Sequence, residues 1–130
     1  VVPPLEGLWW TEEMADFSEA NRDDWQWTMM IMMPEPVDRD IYLQGHKKAC
    51  EKKCLVAAEM MRFEEYAEGL SAQVMHVGPY DEEAPTIERL HAFIAEQGRE
   101  PRGKHHEVYL SDPRRTKPEN LKTVLRQPVL

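Results

Sequence analysis

Two segments of this chain echo one another and limit the folds it can adopt. Residues 28–34 (TMMIMMP) and 122–128 (KTVLRQP) are extended runs that end in proline, and each follows another strand-like run and an acidic or Pro-containing turn. Proline cannot donate to a sheet ladder, so it marks the end of each strand. The echo predicts two structural repeats, with the tail of the first repeat in front and a complete second repeat behind.

The second half of the chain predicts an α+β fold with a largely antiparallel sheet. Strands are predicted at 59–66 and 70–77, joined as a hairpin. An amphipathic helix is predicted at 85–97, ending at Gly98. Two further strands follow, one around Glu107 and one at 122–127. The order strand, strand, helix, strand, strand is typical of antiparallel sheets with packed helices.

The same patterns predict one domain over residues 1–130. Residues 1–37 form the end of the first repeat, with strands expected at 5–10 and 25–33. Residues 38–58 form a connecting helix that begins at Asp38, and residues 59–130 form the second repeat. The chain starts without Met and enters a Pro-rich turn at once, so we expect an upstream segment to have been removed.

Charge and hydropathy exclude several classes of partner. The formal net charge is -8 over 130 residues, which argues against nucleic-acid binding and against anionic membranes, because both require basic surfaces. No apolar run is long enough to span a bilayer, and the first residues do not resemble a signal peptide. We therefore expect a cytoplasmic protein whose partner is neutral, cationic or apolar.

One acid lies in the middle of a strand-like run, where acids are uncommon. Alternation along residues 105–111 places Glu107 and Tyr109 on one face of the strand, and Val108 and Leu110 on the other. If the first face is shielded from water, the acid must shift its pKa, gain partners or meet a ligand. Of the two preceding histidines, only His105 shares that face.

Tryptophan and methionine are frequent, with 4 Trp and 8 Met. They concentrate at Trp9, Trp10, Trp25, Trp27 and 29–33. Trp offers a flat wall and Met adapts to irregular apolar shapes, so the two suit a cleft for bulky aromatic ligands. They would also suit a packed core, and the sequence leaves both interpretations open.

Other polar residues give weaker indications. His76 ends an apolar strand, where a hydrogen-bonded structural role competes with a catalytic one. His46, Cys50 and Cys54 could share one helical face as a metal half-site, but a closed zinc site needs a fourth ligand, so reduced thiols are the competing interpretation. No Ser-His-Asp order, phosphate loop or HExxH motif is present.

Several motifs together resemble the GyrI-like small-molecule-binding proteins, relatives of the effector-binding domains of multidrug-sensing regulators. They are 4–9 (PLEGLW), 68–70 (EGL) leading to 76–81 (HVGPYD), 107–116 (EVYLSDPRRT) and 121–126 (LKTVLR). The resemblance covers nearly the whole chain, and the 107–116 motif is the most specific. It implies two pseudo-symmetric strand-helix-strand-strand halves around a cleft, with the first half lacking its opening strand and helix. An upstream segment or a second copy of the chain would then complete the sheet.

Members that this sequence resembles include hydrolases of cyclopropane-bearing, DNA-alkylating natural products of the yatakemycin and duocarmycin kind. In these a cleft carboxylate assists addition of water to the strained ring, and by resemblance that carboxylate is Glu107. Regulatory relatives carry a drug-contacting acid in the last strand. The corresponding position here is Val124, which favours the hydrolase type over a sensor of cationic drugs.

The resulting hypothesis is a detoxifying, resistance-conferring hydrolase that needs no metal or other cofactor. Glu107 activates water, and Tyr109 orients that water or the substrate carbonyl. The expected ligand-binding residues are Trp9, Met30, Met32, His76, Tyr80 and Arg126. Two alternatives stay open: a non-catalytic module that binds or senses hydrophobic, multidrug-like compounds in the same cleft, and a protein-interaction factor that protects gyrase.

Overall fold

The computed structural model describes residues 1–13, 19–53 and 55–130. Within these residues the backbone divides into two compact units. The first unit comprises Val1–Ile31 and Glu68–Leu130, and the second comprises Met32–Ala67. The first unit holds all the strands described and one of the two α-helices.

Five strands form one antiparallel sheet. They are β1 (Leu5–Trp10), β2 (Gln26–Ile31), β3 (Ser71–Val77), β4 (His105–Tyr109) and β5 (Lys122–Pro128). Their order is β2-β1-β4-β5-β3, so β4 lies in the middle, with β1 on one side and β5 on the other. This sheet, with its helices, confirms the predicted α+β class.

The helices begin and end where local chemistry favours it. The α-helices are α1 (Arg39–Lys52) and α2 (Ala84–Glu96), and short 3-10 helices lie at Glu19–Asp24, Val56–Met60, Tyr80–Glu82 and Pro118–Asn120. The Asp38 carboxylate caps α1 by accepting a hydrogen bond from the Ile41 amide at 2.9 Å. Gly98, with φ of +67°, follows α2 in the left-handed conformation that favours glycine.

Strand register decides which side chains share a face. Glu107 lies opposite Gly7 of β1 and opposite Leu125 of β5, so these three residues point to the same side. We call it the site face. The helix α2 packs on its β3 and β5 part, forming a core of Leu90, Ile94, Leu125 and Val129.

The other face carries a buried charged network. His106 is 2% exposed and contacts the Glu6 carboxylate at 2.6 Å and the Glu68 carboxylate at 2.9 Å. Arg126 donates to Glu68 at 2.9 Å and to the side-chain oxygen of Gln73, also at 2.9 Å. Charged groups this deep need such partners, because an unpaired buried charge is strongly destabilising. The network therefore ties β1, β3, β4 and β5 together.

The second unit corrects one predicted element. No strand forms at 59–66: the segment ends the 3-10 helix at Met60 and continues without regular structure. Most of its residues are exposed and lack strand partners, and β3 pairs with β5 instead. Within this unit Tyr42 stacks on Phe63 with ring centroids 5.2 Å apart.

The metal half-site on α1 was the less favoured of the two interpretations of the sequence, and it stays an interpretation. The His46 ring contacts Cys50, with Nε2 3.8 Å from the Cys50 sulfur. Cys54 lies outside the described residues. Among the residues described, no group of three or more His, Cys, Asp or Glu side chains is placed to hold a metal ion.

Among the described residues, no helix is both long and apolar enough to cross a membrane.

Candidate functional site

A pocket of about 780 Å³ opens on the site face, within the first unit. Its floor comes from strand side chains: Leu5, Trp9, Met29, Glu107 and Tyr109. Tyr80, Glu83 and the loop at 110–114 line it from the turns on either side, together with Val2, Pro3 and Arg22. The surface is mainly apolar and aromatic with a few charged groups, as is usual for small-molecule sites.

Glu107 is buried at the base of this pocket, with only 5% of its surface exposed. Its carboxylate accepts a hydrogen bond from the Tyr109 hydroxyl at 2.7 Å on one oxygen. The other oxygen lies 3.1 Å from His105 Nε2. The two partners sit two residues before and after Glu107, so the period of a β-strand brings all three to one face.

Tyr109 in turn is held by Trp9. The indole N–H of Trp9 donates to the Tyr109 hydroxyl oxygen at 2.9 Å. The result is a chain of donors, Trp9 to Tyr109 to Glu107, that runs from β1 to β4. Trp25 supports the outer end of the chain, since its ring centroid lies 5.9 Å from that of Trp9.

Gly7 provides the space for this chain. A Cβ atom there would lie 2.8 Å from Trp9 Nε1, 3.0 Å from the Tyr109 hydroxyl and 3.1 Å from Met29 Cε. Distances this short are not tolerated by real Cβ atoms without a shift of the neighbours. The absence of a side chain at Gly7 therefore lets the indole and phenol meet above Glu107.

The surroundings favour an ionised Glu107. Burial by itself raises the pKa of this carboxyl, but hydrogen bonds from His105 and Tyr109, the charge of His105 and a hydrogen bond with Glu83 outweigh it, and the pKa is lowered. Burial and the Glu107 charge raise the pKa of Tyr109 well above its ordinary range. At neutral pH the pair is thus a carboxylate held by a neutral phenol.

Tyr80 lines the pocket beside Tyr109. Its ring meets that of Tyr109 edge-on, with centroids 5.8 Å apart. Burial, followed by the charges of Glu83, Glu107 and Asp112, raises the pKa of Tyr80. Tyr80 therefore presents a neutral aromatic wall to the pocket.

Glu83 is a site residue that the sequence analysis missed. It is 2% exposed, lines the pocket and hydrogen-bonds to Glu107. It occupies the N-cap position of α2, where Ser, Thr, Asp and Asn are preferred, and its side chain makes no capping hydrogen bond. A glutamate just before the Ala84-Pro85 start of a helix was the signal available in the sequence.

Two predicted ligand-binding residues, Met30 and Arg126, lie on the face of the sheet opposite to that of Glu107. Met30 pairs with Glu6, so it points away from Glu107, and Met29 lines the pocket instead. The register between β1 and β2 could not be read from the sequence, and the binding role expected for Met30 stays a prediction. Arg126 pairs with His106 and belongs to the charged network on the other face.

The remaining two predicted residues are placed as follows. His76 lies on the site face beneath α2, where Nδ1 is 3.0 Å from the Thr86 hydroxyl and Nε2 is 3.1 Å from the Pro79 carbonyl oxygen. These contacts correspond to the hydrogen-bonded structural role that the sequence left open for His76. Met32 follows the last residue of β2, belongs to the second unit and is exposed, and its role in binding stays a prediction.

Comparison with known proteins gives a consistent result. Residues 1–130 match the family described as the GyrI-like small molecule binding domain. Three solved structures from Listeria innocua are similar: an uncharacterized conserved protein (41% identity, TM-score 0.89) and two hydrolases (38% and 39% identity, TM-scores 0.82 and 0.84). All of this chain aligns with each, but it spans only 65%, 64% and 64% of their lengths. Among curated proteins, none matches the chain.

Proposed function

Because the chain belongs to the GyrI-like small-molecule-binding family, we propose that its pocket binds a flat aromatic electrophile and adds water to it. The proposed substrate carries a cyclopropane ring conjugated to a carbonyl group, as in the DNA-alkylating natural products. The observation that carries the proposal is the buried Glu107 carboxylate, held by Tyr109 at the base of an aromatic pocket.

Glu107 is suited to receive a proton from water. A carboxylate offers about four acceptor positions, and in the described part of the chain His105, Tyr109 and Glu83 hydrogen-bond to this one. A water molecule can take the remaining position. Its oxygen then bonds to the ring CH₂ while its proton passes to Glu107, and the electrons of the broken C–C bond move to the conjugated carbonyl oxygen.

Tyr109 acts as a positioning residue in this scheme. Its one hydroxyl proton is engaged with Glu107, and its oxygen accepts from Trp9. To donate to a substrate carbonyl, as the sequence analysis expected, it would have to release Glu107. We therefore propose that Tyr109 fixes the carboxylate, since general-base catalysis depends on that geometry.

The pocket walls favour a planar aromatic ligand. Trp9, Met29 and Tyr80 contribute broad apolar surfaces, and Leu5 extends them. Such walls exclude water from the reacting atoms and strengthen the electrostatic contacts there. Two of the similar structures are hydrolases, and this supports turnover as a proposal for the present chain.

Glu107→Gln tests the role of the carboxylate. The variant keeps the size of the side chain but cannot take a proton, so we expect turnover of a cyclopropane-bearing substrate to fall by about 10²- to 10⁴-fold. Mass spectrometry would detect the water adduct, and fluorescence quenching would measure ligand affinity. Glu88→Gln, an exposed change on α2, is the matched control. Turnover at the wild-type rate by Glu107→Gln would refute the catalytic role.

One observation favours the alternative of a binding protein without turnover. A carboxylate that accepts several hydrogen bonds is a weak base, and the lowered pKa of Glu107 reflects this. Such a site would hold the aromatic ligand and leave it unchanged. Tight binding without any water adduct, in wild type as in Glu107→Gln, would establish that alternative.

A further inference from the structure

Glu107 and His105 form a buried pair at the base of the pocket. They lie two residues apart in β4, so their side chains point to the same face. His105 Nε2 is 3.1 Å from the Glu107 carboxylate, and the two residues are 0% and 5% exposed. Among the residues described, His105 is the basic side chain within ion-pair distance of Glu107. A buried carboxylate without a compensating charge is strongly destabilising, so the charge of this pair decides whether Glu107 can act as a base.

One mobile proton can occupy either side of this pair. On the Glu107 carboxyl it leaves two neutral groups, and on the His105 ring it gives a carboxylate and an imidazolium. The Trp9 indole N–H donates to the Tyr109 oxygen, so the Tyr109 hydroxyl proton points to Glu107. An ionised carboxylate accepts such a hydrogen bond more strongly than a neutral carboxyl group does. The donor chain therefore favours the proton on His105.

A second imidazole interacts with this pair and stays neutral. Burial, followed by the charge of His105, lowers the pKa of His91 on α2. For Glu107, burial raises the pKa, but the hydrogen bond and the charge of His105 oppose burial, and the pKa is lowered. The positive charge of the two imidazoles thus lies on the ring that faces the carboxylate.

We propose that His105 is the counter-ion that keeps Glu107 ionised, and that it thereby sets the lower pH limit of the proposed reaction. The inference rests on the proposed hydrolysis, in which Glu107 accepts a proton from water. The pocket lining includes Glu107 and Tyr109 but not His105. His105 therefore acts through Glu107, as a positioning residue.

The proton count follows from this assignment. Glu107 takes one proton from water as the C–O bond forms, and the electron pair of the broken C–C bond moves to the substrate oxygen. His105 keeps its proton throughout. The net charge of the carboxylate, the imidazolium and the substrate is zero before the step and zero after it. Transfer of the proton from Glu107 through solvent to the product oxygen restores the pair, and the product is the substrate plus one water molecule.

His105→Gln tests the charge apart from the hydrogen bond, since glutamine has an N–H donor but cannot be protonated. Without the counter-ion the pKa of Glu107 should rise. The acid limb of the kcat/KM profile should then move up by about 1–3 pH units, the usual effect of an adjacent opposite charge. The rate at higher pH, where Glu107 is ionised in both proteins, should stay close to that of wild type. A purely structural role would instead lower the rate at every pH.

His91→Gln is the matched control, because it makes the same substitution at the imidazole that stays neutral. Its acid limb should stay at the wild-type pH. Either an unmoved acid limb in His105→Gln or a uniform loss of rate at every pH would overturn the proposal.

Other titratable or charged groups face the pair from several elements. They are Tyr109 in β4, Glu83 and His91 at α2, Tyr80 in the turn before α2, and Arg22, Asp112 and Arg114 around the pocket. All of them are present in His105→Gln as in wild type. A shift of the acid limb confined to that variant therefore reports the loss of the one ring.

NMR of the ligand-free protein distinguishes failure of this inference from failure of the proposed hydrolysis. Nitrogen-15 signals separate a ring nitrogen that carries a proton from one that does not. At neutral pH we expect protons on both ring nitrogens of His105 and on one ring nitrogen of His91, and a carbon-13 signal of a carboxylate for Glu107. A neutral His105 ring would overturn the inference even if the wild-type protein hydrolyses its substrate. A charged His105 ring without turnover of any cyclopropane-bearing compound would support the ion pair and refute the hydrolysis instead.

Discussion

Gly7→Ala is the smallest change that should disturb the site, because it adds one methyl group where three side-chain atoms converge. The added carbon would lie 2.8 Å from Trp9 Nε1, 3.0 Å from the Tyr109 hydroxyl and 3.1 Å from Met29 Cε. Met29 can move its flexible end. Trp9 and Tyr109 are joined by a 2.9 Å hydrogen bond, so neither can retreat without lengthening it.

The expected loss of stability combines two opposing effects. Overpacking a filled site costs about 1–3 kcal/mol. Replacing glycine by alanine at a position without positive φ recovers about 0.4–1 kcal/mol by restricting the unfolded chain, and Gly7 has no positive φ. The difference lies between about 0 and 2.6 kcal/mol, so we expect Gly7→Ala to lower the free energy of unfolding by roughly 1 kcal/mol. As Tyr109 withdraws, the lowered pKa of Glu107 should move back up.

Urea unfolding followed by circular dichroism would measure the stability change, and carbon-13 NMR of the Glu107 carboxyl would follow its titration. Gly45→Ala is the control, since Gly45 lies inside α1 with nothing within 4 Å of its added Cβ. That change should stabilise the protein by up to about 1 kcal/mol. If Gly7→Ala is as stable as wild type and leaves the Glu107 titration unchanged, the packing argument is refuted.

Three further substitutions test the hydrogen bonds around the site. Trp9→Phe keeps an aromatic ring but removes the donor to Tyr109. We expect a several-fold loss of turnover and a destabilisation of about 1 kcal/mol, the usual net value of one hydrogen bond. Steady-state kinetics and chemical denaturation would measure the two effects, and unchanged kinetics would argue against the donor chain. Thr123→Val removes a fully buried hydroxyl that has no hydrogen-bond partner among the described residues, and it should stabilise the fold by about 1 kcal/mol. Thr86→Val should instead destabilise the fold, because the Thr86 hydroxyl contacts His76. Thermal unfolding would compare Thr123→Val with Thr86→Val, and equal shifts of Tm in the two variants would contradict the expectation.

Much of the fold follows from local patterns in the sequence. The Asp38 cap, the stop at Gly98 and the period-two alternation around Glu107 each depend on neighbouring residues alone, and the structure has all three. The predicted strand at 59–66 failed because alternation of apolar and charged residues does not supply a strand partner. Pairing is a long-range property, and β3 finds its partner about 50 residues later, in β5.

The candidate site was predictable where it depends on one strand and unpredictable where it depends on several. Glu107 and Tyr109 share a strand face by periodicity. Met30 was expected to bind the ligand although the register between β1 and β2 was unknown, and a shift of one residue reverses every side chain. Glu83 comes to the pocket from the start of a helix, and only the packing of α2 on the sheet places it there.

The central position of β4 has a consequence for altering ligand selectivity. Its backbone is hydrogen-bonded to β1 on one edge and to β5 on the other, so the floor that carries Glu107 resists displacement. The rim residues Leu110 and Ser111 follow the strand, and much of the Leu110 side chain is exposed. Libraries aimed at a new ligand should therefore vary this rim, where new shapes can be accommodated, and leave the strand that holds the carboxylate unchanged.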